Sequence, residues 1–238
     1  MPVKDICSVD PASQLDSLLS GIRQTFEVDF EPLAVDGEEI RILDIKNMES
    51  HLDRLLAKGA LQSPLRDLPL WAKLWPGSII LGRFLRHFEP QGKTLLELGC
   101  GMAGLSLVAA RHGFDQILAT DMEPTAISFA KANILANNLQ DRIEARQLDI
   151  CRAGSFSGQF DLVAAAELLY LDGLHRPLLK FIRKHLAPGG KALFCTDLAR
   201  LKPRFQKLAS SDFNIAERRI AMSGAEKRIY SILVLERK

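Results

Sequence analysis

The chain has 238 residues, 47% hydrophobic and 25% charged, and its 31 basic against 29 acidic residues leave a net charge of +2. That composition is globular and excludes a disordered, collagenous or coiled-coil chain, while the near-neutral balance gives no global field to draw nucleic acid or membrane. Cys7, Cys100, Cys151 and Cys195 are far apart and form no Cys-x-x-Cys pair, so neither zinc nor a disulfide framework is expected. The opening MPVKDICSVD has no apolar signal-peptide core, and no apolar stretch nears the roughly 20 residues of a membrane span. The expectation is a cytoplasmic protein.

In chain order, Asp10 and Pro11 cap and open an amphipathic helix through Leu15, Leu18, Leu19 and Ile22. Alternating segments at Phe26–Phe30 and Ile40–Ile45 flank Asp36-Gly37 and predict a β-hairpin. A helix follows over Met48–Lys58, with Gly59 as its stop and Leu61–Pro69 as a connection. Residues 1–68 thus read as an appendage too small to stand alone, and residues 69–238 as the main domain. There, strands are expected at Thr94–Leu98, Gln116–Thr120, Ile143–Ile150, Phe160–Ala166 and Lys191–Thr196. Helices are expected at Ala103–His112, Pro124–Leu139 and Leu174–Leu186, the last closed by Pro188-Gly-Gly190. This alternation implies a parallel sheet covered on both faces. Phe213–Ala221 and Lys227–Glu236, joined by Met222-Ser-Gly-Ala225, leave no room for a crossover helix and should pair antiparallel. The fold class is α/β, Rossmann-like: five parallel strands plus an antiparallel C-terminal pair, preceded by the hairpin-and-helix appendage.

The first chemical motif is Glu97-Leu-Gly99-Cys-Gly101-Met-Ala-Gly104, which leaves a predicted strand and opens a predicted helix. Glycines there permit a tight turn and close backbone approach, although a plain strand-to-helix turn would look the same. Asp121 ends the next strand, twenty residues after Gly101, where a carboxylate can accept both hydroxyls of a ribose; Met122 follows it. A nucleoside ligand follows, either a dinucleotide or S-adenosylmethionine. Glu97 would repel a pyrophosphate but suits a ligand bearing an ammonium and a sulfonium. Asp149 and Ile150 end the third strand, suited to an adenine amino group and its face, and the C-terminal pair replaces a second nucleotide-binding half.

On ELGCGMAG, Asp121, Asp149, the strand Phe160–Ala166 and LAPGG, the chain resembles the class I, seven-β-strand, S-adenosylmethionine-dependent methyltransferases from about Leu70 onward. The fourth strand continues Glu167-Leu-Leu-Tyr170, with none of the Asn-Pro-Pro-Tyr run of base-nitrogen enzymes. With the approach Leu70-Trp-Ala-Lys-Leu-Trp75-Pro-Gly77, it resembles the protein-lysine methyltransferase group that includes the electron-transfer flavoprotein β-subunit enzymes and their bacterial relatives. That group usually carries Asp where this chain has Glu167. The resemblance implies S-adenosylmethionine as cofactor and a protein lysine as acceptor. Glu97, Gly99, Gly101 and Gly104 would hold its methionine end, Asp121 the ribose, and Asp149 and Ile150 the adenine, with Met122 a further cofactor-binding residue. Ala166 would lie beneath the sulfonium and Trp75 near the cofactor. Glu167 would orient the amine or take its proton, and Tyr170 would wall the acceptor pocket. The plainer alternative makes Glu167 a helix cap, Tyr170 core, and both Trp71 and Trp75 glue for the appendage. A small-molecule or RNA acceptor, or a non-catalytic binding module, stays open.

The five histidines lack metal-ligand spacing and read as solvated helix positions, so no metal is expected. Cys100 reads as a small filler. The late basic residues from Arg200 to Arg228 are interleaved with acids and read as a solvated face, which makes a nucleic-acid partner unexpected.

Overall fold

A computed structural model describes residues 10–57, 68–201, 203–222 and 228–238. Local signals set the first elements. Asp10 accepts the Ser13 amide at 3.3 Å and starts α1 (Pro11–Arg23). Asp36 and Gly37 both adopt positive φ, 51° and 86°, in a two-residue turn between β1 (Val28–Val35) and β2 (Glu38–Ile45). Then come α2 (Met48–Ala57), α3 (Pro76–Phe84), β3 (Thr94–Leu98), α4 (Gly104–Arg111), β4 (Gln116–Asp121), α5 (Pro124–Ala136) and β5 (Ile143–Gln147). The chain continues through β6 (Phe160–Ala166), α6 (His175–His185), β7 (Leu186–Asp197), α7 (Pro203–Ala209), β8 (Phe213–Met222) and β9 (Arg228–Arg237).

The main sheet runs β5-β4-β3-β6-β7-β9-β8. Strands β3 to β7 pair parallel, and β9 lies antiparallel between β7 and β8. The central strands are apolar on both faces because helices cover both. Leu95 packs into one core with Leu105, Val108, Ile117 and Phe129; Leu96 packs into the other with Val163, Leu178, Ile182 and Phe194. The first core also takes in Leu19, Ile22, Phe26, Val28, Ile40 and Leu43, so α1 and the hairpin share apolar packing with the sheet.

Two asparagines four residues apart, Asn133 on α5 and Asn137 at its C-cap, fasten the hairpin. Asn133 Oδ1 accepts the Leu43 amide at 2.7 Å, and Asn137 accepts the Arg41 amide at 2.9 Å while donating to the Arg41 carbonyl at 2.7 Å. These carboxamides stand in for a neighbouring strand along the edge of β2. Asn133 Nδ2 also donates to the Met102 carbonyl at 2.9 Å, tying the same contact to the glycine-rich turn after β3.

The structure corrects several details of the sequence reading. Helix α6 ends at His185, and Pro188-Gly189-Gly190 lies inside β7, opposite a register shift between Phe160 and Leu162. Strand β5 stops at Gln147, short of Ile150. The stretch of late basic residues also contains a helix the sequence did not predict, α7, seated by Phe205 and Ala209, both buried, while Arg204 and Lys207 stay exposed. His175 and His185 are buried as well: His175 Nε2 donates to the Leu169 carbonyl at 2.7 Å and His185 Nδ1 to the Gly158 carbonyl at 2.8 Å. The Gly59 stop, most of the Leu61–Pro69 connection and the turn at 223–225 lie outside the described residues.

Replacing Asn133 by Ala strands two buried partners, the Leu43 amide and the Met102 carbonyl. Each orphaned group costs about 1–3 kcal/mol. Asn133→Ala is expected to lower the thermal unfolding midpoint markedly, more than Ser128→Ala on the exposed side of the same helix, as measured by calorimetry.

Candidate functional site

All five parallel strands bring their C-terminal ends to one edge of the sheet, and strand order reverses between β3 and β6. Open α/β sheets bind ligands in the crevice at such a switch point. On one side β3 empties into Gly99–Ala103, with Gly99, Gly101 and Ala103 at φ 69°, 50° and 63°. The Gly101 amide donates to Asp121 Oδ2 at 2.9 Å and the Glu123 amide to Oδ1 at 3.0 Å. Burial raises the Asp121 carboxyl above its ordinary range, and these amides pull it back. Each oxygen keeps a lone pair for a further donor.

Hydrogen bonds join the β4 and β5 exits. The Leu148 amide donates to the Asp121 carbonyl at 2.8 Å and Gln147 Nε2 to the Met122 carbonyl at 3.0 Å. Met122 presents a thioether that is 59% exposed. Asp149 accepts the Cys151 amide at 2.8 Å, and Ile150 beside it is half-buried. Bare backbone at the glycines, a positioned carboxylate with open lone pairs and an exposed apolar side chain fit the nucleoside and methionine parts of S-adenosylmethionine.

Glu97 sits differently from the rest of this set. It is 1% exposed and accepts both the amide and the hydroxyl of Ser106 in α4, beneath the turn. Burial pushes its carboxyl up to about 8, against the pull of the Ser106 hydrogen bonds. Cys100, also buried, has its thiol raised by burial and then by the charge of Glu97, which suits a filler and not a nucleophile.

Across the switch point, β6 ends at half-buried Ala166 and the chain turns sharply at Glu167, whose φ is 52°. A side chain larger than glycine pays on the order of 1 kcal/mol to adopt that conformation, and such strain concentrates at functional sites. The Glu167 carboxylate accepts the Asp197 amide at 3.3 Å and the Thr196 hydroxyl at 3.4 Å, and lies 3.8 Å from the Arg200 guanidinium. Burial raises its pKa, with Arg200 opposing. Arg200 stacks at 5.1 Å and Lys73 at 4.9 Å over the Trp75 ring, whose Nε1 donates to the Leu70 carbonyl at 2.8 Å. Tyr170 is half-buried; burial raises its phenol, and the charges of Glu167, Arg200 and Asp121 all reach it. Trp71 instead packs 5.1 Å from Phe129 and 6.0 Å from Phe26, joining the N-terminal elements to α5.

The structure therefore gathers Gly99, Gly101, Asp121, Met122, Asp149 and Ile150 on one side of the crevice and Trp75, Ala166, Glu167 and Tyr170 on the other, while Gly104 is buried against Leu74 and Ser78 instead of facing it. Three participants were given no role at the site from the sequence: Asn133, Arg200, which read as solvated surface, and Gly77, which read only as the end of the Leu70–Gly77 approach. A Cβ on Gly77 would lie 2.9 Å from Glu167 Oε1. The one legible signal was the polar pair Asn133 and Asn137, four residues apart, the first among the apolar residues Ala130, Ala132 and Ile134 and the second at the end of the helix. Among the described residues no group of three potential metal ligands occurs, and no helix is long and apolar enough to cross a membrane.

Glu97 gives the fold a pH dependence. Its carboxyl is near 4.5 when unfolded and about 8 when folded. Folding thus favours the protonated form, and its contribution is fully present below the lower value and lost as pH climbs through the higher. Glu97→Gln should gain thermal stability relative to the native chain as pH rises across that window, as measured by parallel melts.

Residues 95–190 match the family described as "Methyltransferase domain". A ribosomal protein L11 methyltransferase of Thermosipho africanus is 37% identical over 105 residues, covering 43% of this chain and 38% of its own. An electron transfer flavoprotein β subunit lysine methyltransferase of Xenopus laevis is 29% identical over 136 residues, covering 56% and 53%. The chain thus spans about half or less of these relatives' length. The crystal structure of a TehB-like SAM-dependent methyltransferase from Corynebacterium glutamicum superposes with a TM-score of 0.53 at 18% identity, covering 81% of this chain and 98% of the other, and shares the fold.

Proposed function

We propose that the class I, S-adenosylmethionine-dependent methyltransferase domain carried by this chain methylates a lysine side chain of a protein. The observation that carries the amine reading is a place where cations already collect: the Arg200 guanidinium lies 3.8 Å from the buried Glu167 carboxylate and stacks on the Trp75 ring, which Lys73 also covers. A site furnished in this way suits an ammonium or amine entering beside the crevice. The electron transfer flavoprotein β subunit relative, named as a lysine methyltransferase, supports the same acceptor.

S-adenosylmethionine, when bound, supplies an electrophilic methyl carbon. Asp121 would accept its ribose hydroxyls, the glycine-rich turn would present bare backbone to its methionine end, and Met122, Asp149 and Ile150 would flank its adenine. Glu167 would hold the acceptor ammonium through its carboxylate oxygens and take one proton from nitrogen, leaving the amine lone pair free to react. The raised pKa of Glu167 makes it a better proton acceptor than a solvated carboxylate. Tyr170 and Trp75 would form apolar walls that orient the side chain and thin out water.

The test incubates the protein with tritium-labelled S-adenosylmethionine and a cell extract fractionated into protein, RNA and small molecules, with Asp121→Ala as control. Label recovered as methyl-lysine supports the reading; label in RNA or small molecules overturns the acceptor. A second reading follows from the Thermosipho relative: the acceptor is a ribosomal protein, and label confined to the ribosomal fraction would distinguish it.

Two variants test the acceptor side. Glu167→Gln should lower kcat about a hundredfold or more with cofactor affinity unchanged. Gly77→Ala, whose methyl would displace Glu167 Oε1, should lower kcat at least about tenfold, again sparing cofactor affinity. The activity also has a pH signature. Since burial raises Glu167 above 4.5 and Arg200 counteracts this, the acid limb of the rate profile should lie above that value and move higher in Arg200→Gln.

A further inference from the structure

A cleft of about 920 Å³, lined by none of Glu167, Trp75 and Asp121, opens between α6 and the loop at 150–154, with Leu208, Ser211 and Asp212 also in its lining. Its charge is lopsided. Arg176, Lys180, Arg183 and Lys184 form one stripe of α6 at helical spacing, and Arg152 faces them from the loop. Among the described residues the only acid lining it is Asp212, which is taken by Arg183 at 3.1 Å. Arg152 reaches Asp149 at 3.8 Å, but its side chain is 89% exposed, so the pair is weak. Among the described residues Arg176, Lys180 and Lys184 form no ion pair. In a chain of net charge +2 this is a local concentration.

Folding does not explain the stripe. Cations in the last turn, such as Arg183 and Lys184, meet the negative end of the helix dipole and are stabilising. Arg176 lies in the first turn, at the positive end, and Lys180 one turn later is a like charge at i,i+4 spacing; both placements are unfavourable. The apolar part of the lining that a ligand can reach includes Ile150, Pro177 and Leu208, all half-buried. A cationic rim beside these apolar residues complements an extended peptide whose acids bracket a large apolar residue. It does not suit single-stranded nucleic acid, which needs exposed rings to stack on. Phe181 is covered, and the other ring in the lining, His185, is 2% exposed and bonded to the Gly158 carbonyl.

We propose that this cleft, whose lining shares only Ile150 with the reaction crevice, docks an acidic, extended segment of a partner protein. The interaction does not depend on which atom the enzyme methylates. The probe is a fluorescein-labelled octapeptide, Glu-Glu-Leu-Glu-Glu-Leu-Glu-Glu, titrated with the full chain and followed by anisotropy at low and at moderate salt. Saturable binding that weakens with salt is expected, and the Arg176→Glu/Lys180→Glu double variant should lose at least about tenfold in affinity. Arg86→Glu/Lys131→Glu, the same charge change outside the cleft, should bind as the native chain does. If the reversed pair unfolds by circular dichroism, Arg176→Gln/Lys180→Gln takes its place, with a smaller loss in the same direction. No binding by the native chain, or equal loss in both double variants, overturns the proposal. Tighter binding of an oligouridine that is abolished by the cleft variant overturns it in favour of RNA.

Discussion

The site is held together by close backbone approach. The segment from Trp71 to Gly77 lies against the glycine-rich turn so tightly that a methyl group on Gly101 would sit 2.9 Å from the Trp71 carbonyl oxygen. The same segment ends against the Glu167 carboxylate at Gly77. One short stretch of chain therefore touches both halves of the crevice, the glycine-rich turn and the Glu167 carboxylate. Any side chain at Gly101 would have to push these backbones apart, and its φ of 50° disfavours one as well. The positions of Trp75, and through it of Arg200 and Lys73, follow from that contact.

The Asn133 bonds reinforce the arrangement from the other side. Because one carboxamide meets the Leu43 amide and the Met102 carbonyl together, the hairpin edge and the glycine-rich turn are braced on a single buried residue. The N-terminal elements are thus a support for the turn as well as a cover over α5. A polar side chain at an otherwise apolar position is costly unless fully satisfied, and here the carboxamide bonds backbone groups at both its oxygen and its nitrogen.

Much of this was legible in the sequence. The parallel sheet, its antiparallel last strand, the hairpin at Asp36-Gly37 and the grouping of Gly99, Gly101, Asp121 and Met122 all rest on local signals: strand periodicity, turn residues, and a motif that spans one strand–turn–helix unit. What escaped depends on distant packing. Glu97 was expected among the cofactor residues because it precedes the glycines, but the pleat of β3 turns its carboxylate under the turn to Ser106. Arg200 meets Glu167 only because β6 and β7 are neighbours, a pairing between residues 33 positions apart that no spacing rule reveals. His175 and His185 looked like surface residues on a basic helix, yet each carries one carbonyl bond that makes burial tolerable. Helix α7 has only two buried anchors in seven residues, too few to register as a periodic pattern.

The insertion of β9 between β7 and β8 has a consequence for biosynthesis. A ribosome delivers the chain from its N-terminus, so β3, β4 and β5 can pair while later segments are still inside the exit tunnel. The outer edge of β7 has no neighbour until residues 228–237 emerge. During that interval an apolar strand carrying Phe194 and Cys195 presents an open ladder, the kind of edge on which nascent chains associate wrongly. Thr196 and Asp197, which hold Glu167, lie at the end of that same strand, so the Glu167 side of the crevice matures last.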